Sequence, residues 1–146
     1  DNFIATSSVM VRKEYFLNTG KFDPSVVPSE DYDRWLRIAA AYEIDFIDAP
    51  LVKFRDHIAC FAGNKIVTVT HIIDVLNRIL SEYPHLRGIL GKDADRRLSF
   101  FYVMLGKIYL SKMLFKEAFH NFYAAFRLKG PVSCLKRGVK DDEIKR

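Results

Sequence analysis

The stretch Ser29-Glu30-Asp31-Tyr32-Asp33 sets three carboxylates in four positions, directly ahead of an apolar helical pattern. Such a cluster has two physical readings. Acids on the first turn of a helix oppose the positive end of its dipole and contribute about 0.3–1 kcal/mol each when exposed, here behind Ser29 as N-cap. A carboxylate held within about 2.6–3.2 Å of a hydroxyl can instead take its proton as a general base. Adjacent acids repel, which favours one of them holding a proton. Asp31 and Asp33 lie roughly 200° apart around a helix. Both therefore cannot face one acceptor, and Asp33 reads as dipole and capping support. Trp35 reads first as a packing residue of the helical apolar face it opens.

These acids need a frame. Asn2–Val11 reads as extended, with a strand at Ser7–Val11, and a helix follows near Arg12–Thr19. Gly20 stands where a left-handed residue stops that helix, and Asp23-Pro24-Ser25 is turn chemistry. Trp35, Leu36, Ile38, Ala39 and Tyr42 recur at helical spacing. Ile44–Asp48 and Leu51–Arg55 alternate as strands do, on either side of Ala49-Pro50. Asp1 opens directly on the first extended segment, which suggests a cut or processed chain.

Taken in order, Ser-Ser-Val-Met-Val-Arg, Gly-x-Phe-Asp, Ser-Glu-Asp-Tyr-Asp with Trp-Leu-Arg, Tyr-x-Ile-x-Phe-Ile-Asp-x-Pro-Leu-Val and Phe-Arg-x-His cover residues 3–57. This series resembles the C-terminal half of the catalytic domain of family 2 glycosyltransferases, the inverting GT-A group. The resemblance implies an α/β fold over residues 1–58, an incomplete Rossmann-like GT-A half, with residues 1–60 as its acceptor side. It places the general base on Asp31 and a supporting or acceptor-binding carboxylate on Glu30. Trp35 and Arg55 become substrate-binding candidates, Arg55 through its forked donors to diphosphate oxygens. His57 becomes a candidate ligand for Mn2+ or Mg2+, although the following Ile-Ala-Cys-Phe-Ala-Gly-Asn is a poor match to the family. The family's metal-holding Asp-x-Asp and its nucleotide-binding units would precede residue 1. Asp31-Tyr32-Asp33 and Asp93-Ala94-Asp95 match that motif in letters only. The nucleotide-diphosphate sugar, its metal and the hydroxyl acceptor are therefore partners of a complete enzyme, and this chain alone is expected to bind no cofactor and transfer no sugar.

The remainder changes character. Ile66, Val69, Ile73, Leu76 and Leu80 define a helix, closed by Pro84, Gly88 and Gly91, and further helices are expected near Ala94–Lys112 and Phe115–Leu128. No strand pattern follows residue 56, so residues 61–130 read as a helical extension and 131–146 as a basic tail. Leu105-Gly106, Tyr109, Ala118, Phe122, Ala125 and Pro131 resemble one tetratricopeptide-like hairpin. Gly106 and Ala118 are small enough for its two helices to approach closely. Its aromatic density exceeds what one buried stripe needs; these rings read first as core, and otherwise as a contact for a partner, a second copy or a membrane surface. A non-catalytic interaction module carrying a glycosyltransferase remnant is the competing reading.

Bulk composition sets the outer bounds. The 146 residues are 49% apolar, enough for a packed core. Apolar runs fall far short of the roughly 20 residues of a membrane span, which points to a cytoplasmic protein, peripheral at most to the inner face of a membrane. Cys60 and Cys134 have no metal spacing. The charge is uneven: residues 1–58 carry −3, 59–106 carry +2 and 107–146 carry +6. The basic end mixes signs and lacks interleaved aromatics, which argues against nucleic acid.

Overall fold

The computed structural model describes residues 4–53 and 64–128. Every regular element among them is helical: α1 (Lys13–Asn18), α2 (Glu30–Ala41), α3 (Lys65–Glu82), α4 (Pro84–Leu90), α5 (Lys92–Ser111) and α6 (Phe115–Arg127), with single 3-10 turns at Thr6–Ser8 and Pro24–Val26. The chain forms two compact units, Asp1–Ile89 and Leu90–Arg146.

In the first unit, α1 stops as the sequence predicts. Thr19 N–H returns to the Tyr15 carbonyl at 3.2 Å, and Gly20 takes φ +80°, a value open to glycine. Helix α2 follows the Asp23 turn, where the carboxylate accepts from Ser25 N–H at 2.9 Å. Ser29 occupies the N-cap position of α2, but its side chain makes no capping bond; its carbonyl accepts from Asp33 N–H at 3.0 Å. Helix α3 is opened by Asn64, whose side chain accepts from Ile66 N–H at 3.1 Å. Although expected on the helical side of a junction near residue 60, α3 packs on α2 within this unit. Val26, Val75 and Ile79 form the buried cluster, covered by Tyr32, Leu36, Tyr83 and Leu86. Helix α3 ends at Glu82, just before Pro84 as expected, and Pro84 also begins α4, at the position where its missing N–H costs nothing.

The second unit is a helical hairpin. Lys112, Met113 and Leu114 link α5 to α6, with Met113 at φ 58°. Gly106 permits the close approach: a Cβ there would meet the Phe122 ring at 2.8 Å. Ala118 and Ala125 are buried, and Ser99 Oγ donates to the Ala125 carbonyl at 3.3 Å.

The expected α/β half is not present. No strand and no sheet occur among the described residues, so the incomplete GT-A, Rossmann-like reading of residues 1–58 is overturned in favour of an all-helical fold. The physical reason lies in partnership. Alternating apolar residues make a strand only when a second strand accepts its ladder bonds. Residues 43–53 follow α2 without regular structure and with Ile44, Phe46, Ile47, Leu51 and Val52 exposed. Only short local bonds close there, Ala49 N–H to Ile47 O at 2.8 Å and Leu51 N–H to Ala49 O at 2.9 Å. At the other predicted strand, Ser8 bonds the Ala5 carbonyl through both its N–H and its hydroxyl, which turns the chain at Thr6–Ser8. No helix among the described residues is long and apolar enough to cross a membrane.

Candidate functional site

The three acids of α2 have distinct fates, set by helix geometry. Asp33 is fully buried. Its Oδ2 accepts from Arg37 Nε at 3.0 Å and Nη2 at 2.7 Å, one turn along the same helix. Its Oδ1 accepts from Arg78 Nη2 at 2.5 Å, reaching across from α3. Arg78 Nη1 also donates to Asp23 Oδ2 at 2.7 Å. Hydrogen bonds from the Ser25 hydroxyl, Arg78 and Ser25 N–H hold the Asp23 carboxyl well below the usual carboxylate range. The bond that Arg78 donates to Asp23 in turn raises the pKa of Arg78. Arg37 reaches further, donating to the carbonyls of Thr19 and Lys21 just after α1. Asp33 is therefore the centre of an ionic clamp joining α2 to α3, and the expectation of simple dipole and capping support is corrected.

Beside it, Arg34 is wholly buried. Its Nη2 donates to the Phe16 carbonyl, and its guanidinium lies 4.0 Å from the centre of the Phe16 ring. Burial, then the neighbouring Arg37 charge, lower its pKa. Arg34 Nε and Nη1, Glu30 Oε2 and Trp35 Nε1 are buried polar atoms without a hydrogen-bond partner, all within the first turns of α2. Unsatisfied groups of this kind are uncommon in folded proteins and tend to gather at functional or strained places. Trp35 is 7% exposed and meets the Phe22 ring edge-on at 6.1 Å. Its ring is part of the core, and no face is open for a sugar.

Asp31 differs from both neighbours. It is partly exposed. Its Oδ1 is fixed by Tyr32 N–H at 2.7 Å, while Oδ2 accepts from the Thr6 hydroxyl at 3.3 Å. One oxygen is thus anchored to the backbone and the other faces an alcohol. Glu30 stands next to it, half-buried.

These residues do not fit a divalent cation. Asp33 is committed to two guanidinium groups, and no cluster of three His, Cys, Asp or Glu side chains forms among the described residues. Arg55 and His57, the phosphate and metal candidates, lie outside the described residues, as do Cys60 and Cys134. Arg78 was missed by pattern reading. A signal existed: Val75, Arg78 and Ile79 stand at i, i+3 and i+4, a second face of α3 beside the obvious apolar stripe.

No protein-family model matches the chain, and no curated protein or solved structure is significantly similar to it. Together with the helical elements of the described residues, this removes the family 2 GT-A assignment; the single two-helix hairpin expected of residues 94–128 is present as α5 and α6.

Proposed function

We propose that the turn carrying Asp31 serves glycosyl transfer to a hydroxyl acceptor, of the kind used in building cell-surface polysaccharides, glycolipids or glycans. The acceptor oxygen attacks the anomeric carbon of a nucleotide-sugar. Its proton passes to Asp31, the bond from that carbon to the diphosphate breaks, and the configuration inverts. Glu30 assists by binding the acceptor beside the base. What supports this reading is the Thr6–Asp31 contact: an aliphatic alcohol already rests on Asp31 Oδ2. At 3.3 Å the bond is longer than the roughly 2.7–2.8 Å of a strong O–H···O pair, so a substrate hydroxyl can displace it. Donor binding and the associated cation belong to other parts of a complete enzyme, and this chain alone does not turn over. The setting is cytoplasmic, at the inner face of a membrane.

The test uses the chain itself. Addition of an acceptor oligosaccharide should shift the backbone amide resonances of Thr6, Glu30 and Asp31, and Asp31→Asn should remove those shifts while calorimetry with nucleotide-sugar and Mn2+ stays silent. Shifts confined to other residues, or shifts that survive in Asp31→Asn, would reject the assignment. In a complete enzyme the same substitution should lower turnover by about 10²–10⁴-fold, the usual contribution of a positioned base.

A further inference from the structure

Helix α6 presents a row of aromatic side chains to water. Phe115, Phe119, Tyr123 and Phe126 are 60%, 73%, 54% and 75% exposed. At 100° per residue Phe115, Phe119 and Phe126 share an arc of about 40°, with Tyr123 at its edge. The Phe119 and Tyr123 rings lie nearly parallel, with centroids 6.4 Å apart. Exposed Leu110, Met113 and Leu114 extend the row through the hairpin turn. A different arc of α6, carrying Ala118, Asn121 and Ala125, is buried. A contiguous apolar surface of this kind marks an interaction site, unlike singly scattered apolar residues.

The flanking charges indicate what covers it. On the same wheel Lys116, Arg127 and His120 follow Tyr123 at about 100°, 120° and 140°, and the acid Glu117 stands farther round at about 200°. Lys112 lies in the turn. All these cations are exposed, and none of Lys112, Lys116 and Arg127 is in an ion pair among the described residues. From Lys107 to Leu128 the sequence holds four Lys/Arg against one acid. A recess of about 380 Å³, lined by Tyr109, Lys116, Glu117, His120 and Asn121, opens along this cationic border. A second copy of the chain seated here would bring like charges together, which is unfavourable. An anionic lipid surface suits both features, because aromatic rings enter the headgroup–acyl boundary while cations remain at the phosphates.

We propose that α6 lies flat on an anionic lipid surface, with its aromatic arc buried and Lys116, His120 and Arg127 at the headgroup phosphates. With 13 residues it is about 20 Å long, suited to lying on a bilayer and too short to cross one.

Flotation of the full chain with phosphatidylcholine vesicles, with and without phosphatidylserine, tests this. Binding is expected to the phosphatidylserine vesicles alone and should fall as salt rises. Phe119→Ser with Phe126→Ser should abolish it. Lys116→Gln with Arg127→Gln should weaken it on the order of 30-fold at low salt, given the attraction each cation feels near an anionic leaflet. All four positions are exposed, so helicity by circular dichroism should be unchanged in both variants. Three results would each overturn the proposal: no binding to phosphatidylserine vesicles, equal binding to both vesicle types, or a dimer in sedimentation that Phe119→Ser dissociates.

Discussion

Removing the carboxylate of Asp33 should unfold the first unit far more readily than removing that of Asp31, two residues away. Asp33 is fully buried and accepts three hydrogen bonds from two guanidinium groups. Deleting one partner of a buried pair costs about 3–5 kcal/mol, because the charges left behind are uncompensated. The side chains of Arg37 and Arg78 are 14% and 35% exposed, and Arg78 keeps Asp23, so part of that penalty is recovered through solvent. Asp33→Ala should therefore lose about 3 kcal/mol, the lower end of that range. Asp33→Asn should lose nearly as much, since its amide turns a donor toward a donor. Arg78→Met leaves Asp33 doubly bonded to Arg37 but removes two charge-assisted bonds, one to Asp33 and one, partly in solvent, to Asp23, and should lose about 2–3 kcal/mol. Asp33→Asn with Arg78→Met should then cost less than the two separate losses added, by about 1–2 kcal/mol. Asp31→Asn, at a partly exposed site with a long bond, should stay within about 0.5 kcal/mol of the parent. Urea unfolding followed by the fluorescence of Trp35, the sole tryptophan and a residue of α2, reads this unit directly. An Asp33→Ala loss below about 1 kcal/mol, or strict additivity with Arg78→Met, would refute the clamp.

Acid should weaken the same clamp through Asp23. Its folded pKa lies below the unfolded value of about 3.9, so its contribution is complete above that value and disappears as pH falls toward the folded one. Asp23→Asn should be less stable than the parent by about 0.5–1.5 kcal/mol at pH 7, a modest figure because Arg78 and Asp23 are both partly in solvent. Urea midpoints of the two proteins should converge below pH 4, and a constant gap would show that the ion pair is not its source. In the hairpin, Gly106→Ala gains about 1 kcal/mol of helix propensity but drives a methyl into the Phe122 ring, an overpacking worth about 1–3 kcal/mol. Gly106→Val should lose about 3 kcal/mol. Phe122→Leu should restore most of that loss in thermal melts, and failure of the rescue would place the strain elsewhere.

The helices were legible because their signals are local. Gly20 after α1, the acids opening α2 and the aliphatic spacing of α3 each report on neighbours three or four residues away, and the structure keeps all of them. Asn64 was readable on the same terms, as an N-cap just before Lys65. The strands were misread because alternation is only half of a strand's requirement. Ile44, Phe46 and Val52 alternate correctly, yet nothing in a one-dimensional pattern shows whether another segment stands beside them to complete the ladder.

The two carboxylates Asp31 and Asp33 carry this distinction into the site. In sequence they are equivalent acids on one helical turn, and a dipole argument treats them alike. What separates them is where the helix aims each one, and which cation a distant helix supplies. Asp33 falls on the side facing α3, where Arg78, 45 positions away, meets it. Both of its oxygens are then engaged in holding α2 on α3. Asp31 falls on another side, where among the described residues it meets the Thr6 hydroxyl and its own neighbour's N–H. Asp33 fixes the helix, and Asp31 keeps a partly exposed oxygen whose contact with the Thr6 hydroxyl, at 3.3 Å, is long. The clamp and the proposed chemistry are thus separable by mutation: loss of Asp33 should be read in stability, and loss of Asp31 in acceptor binding with stability unchanged.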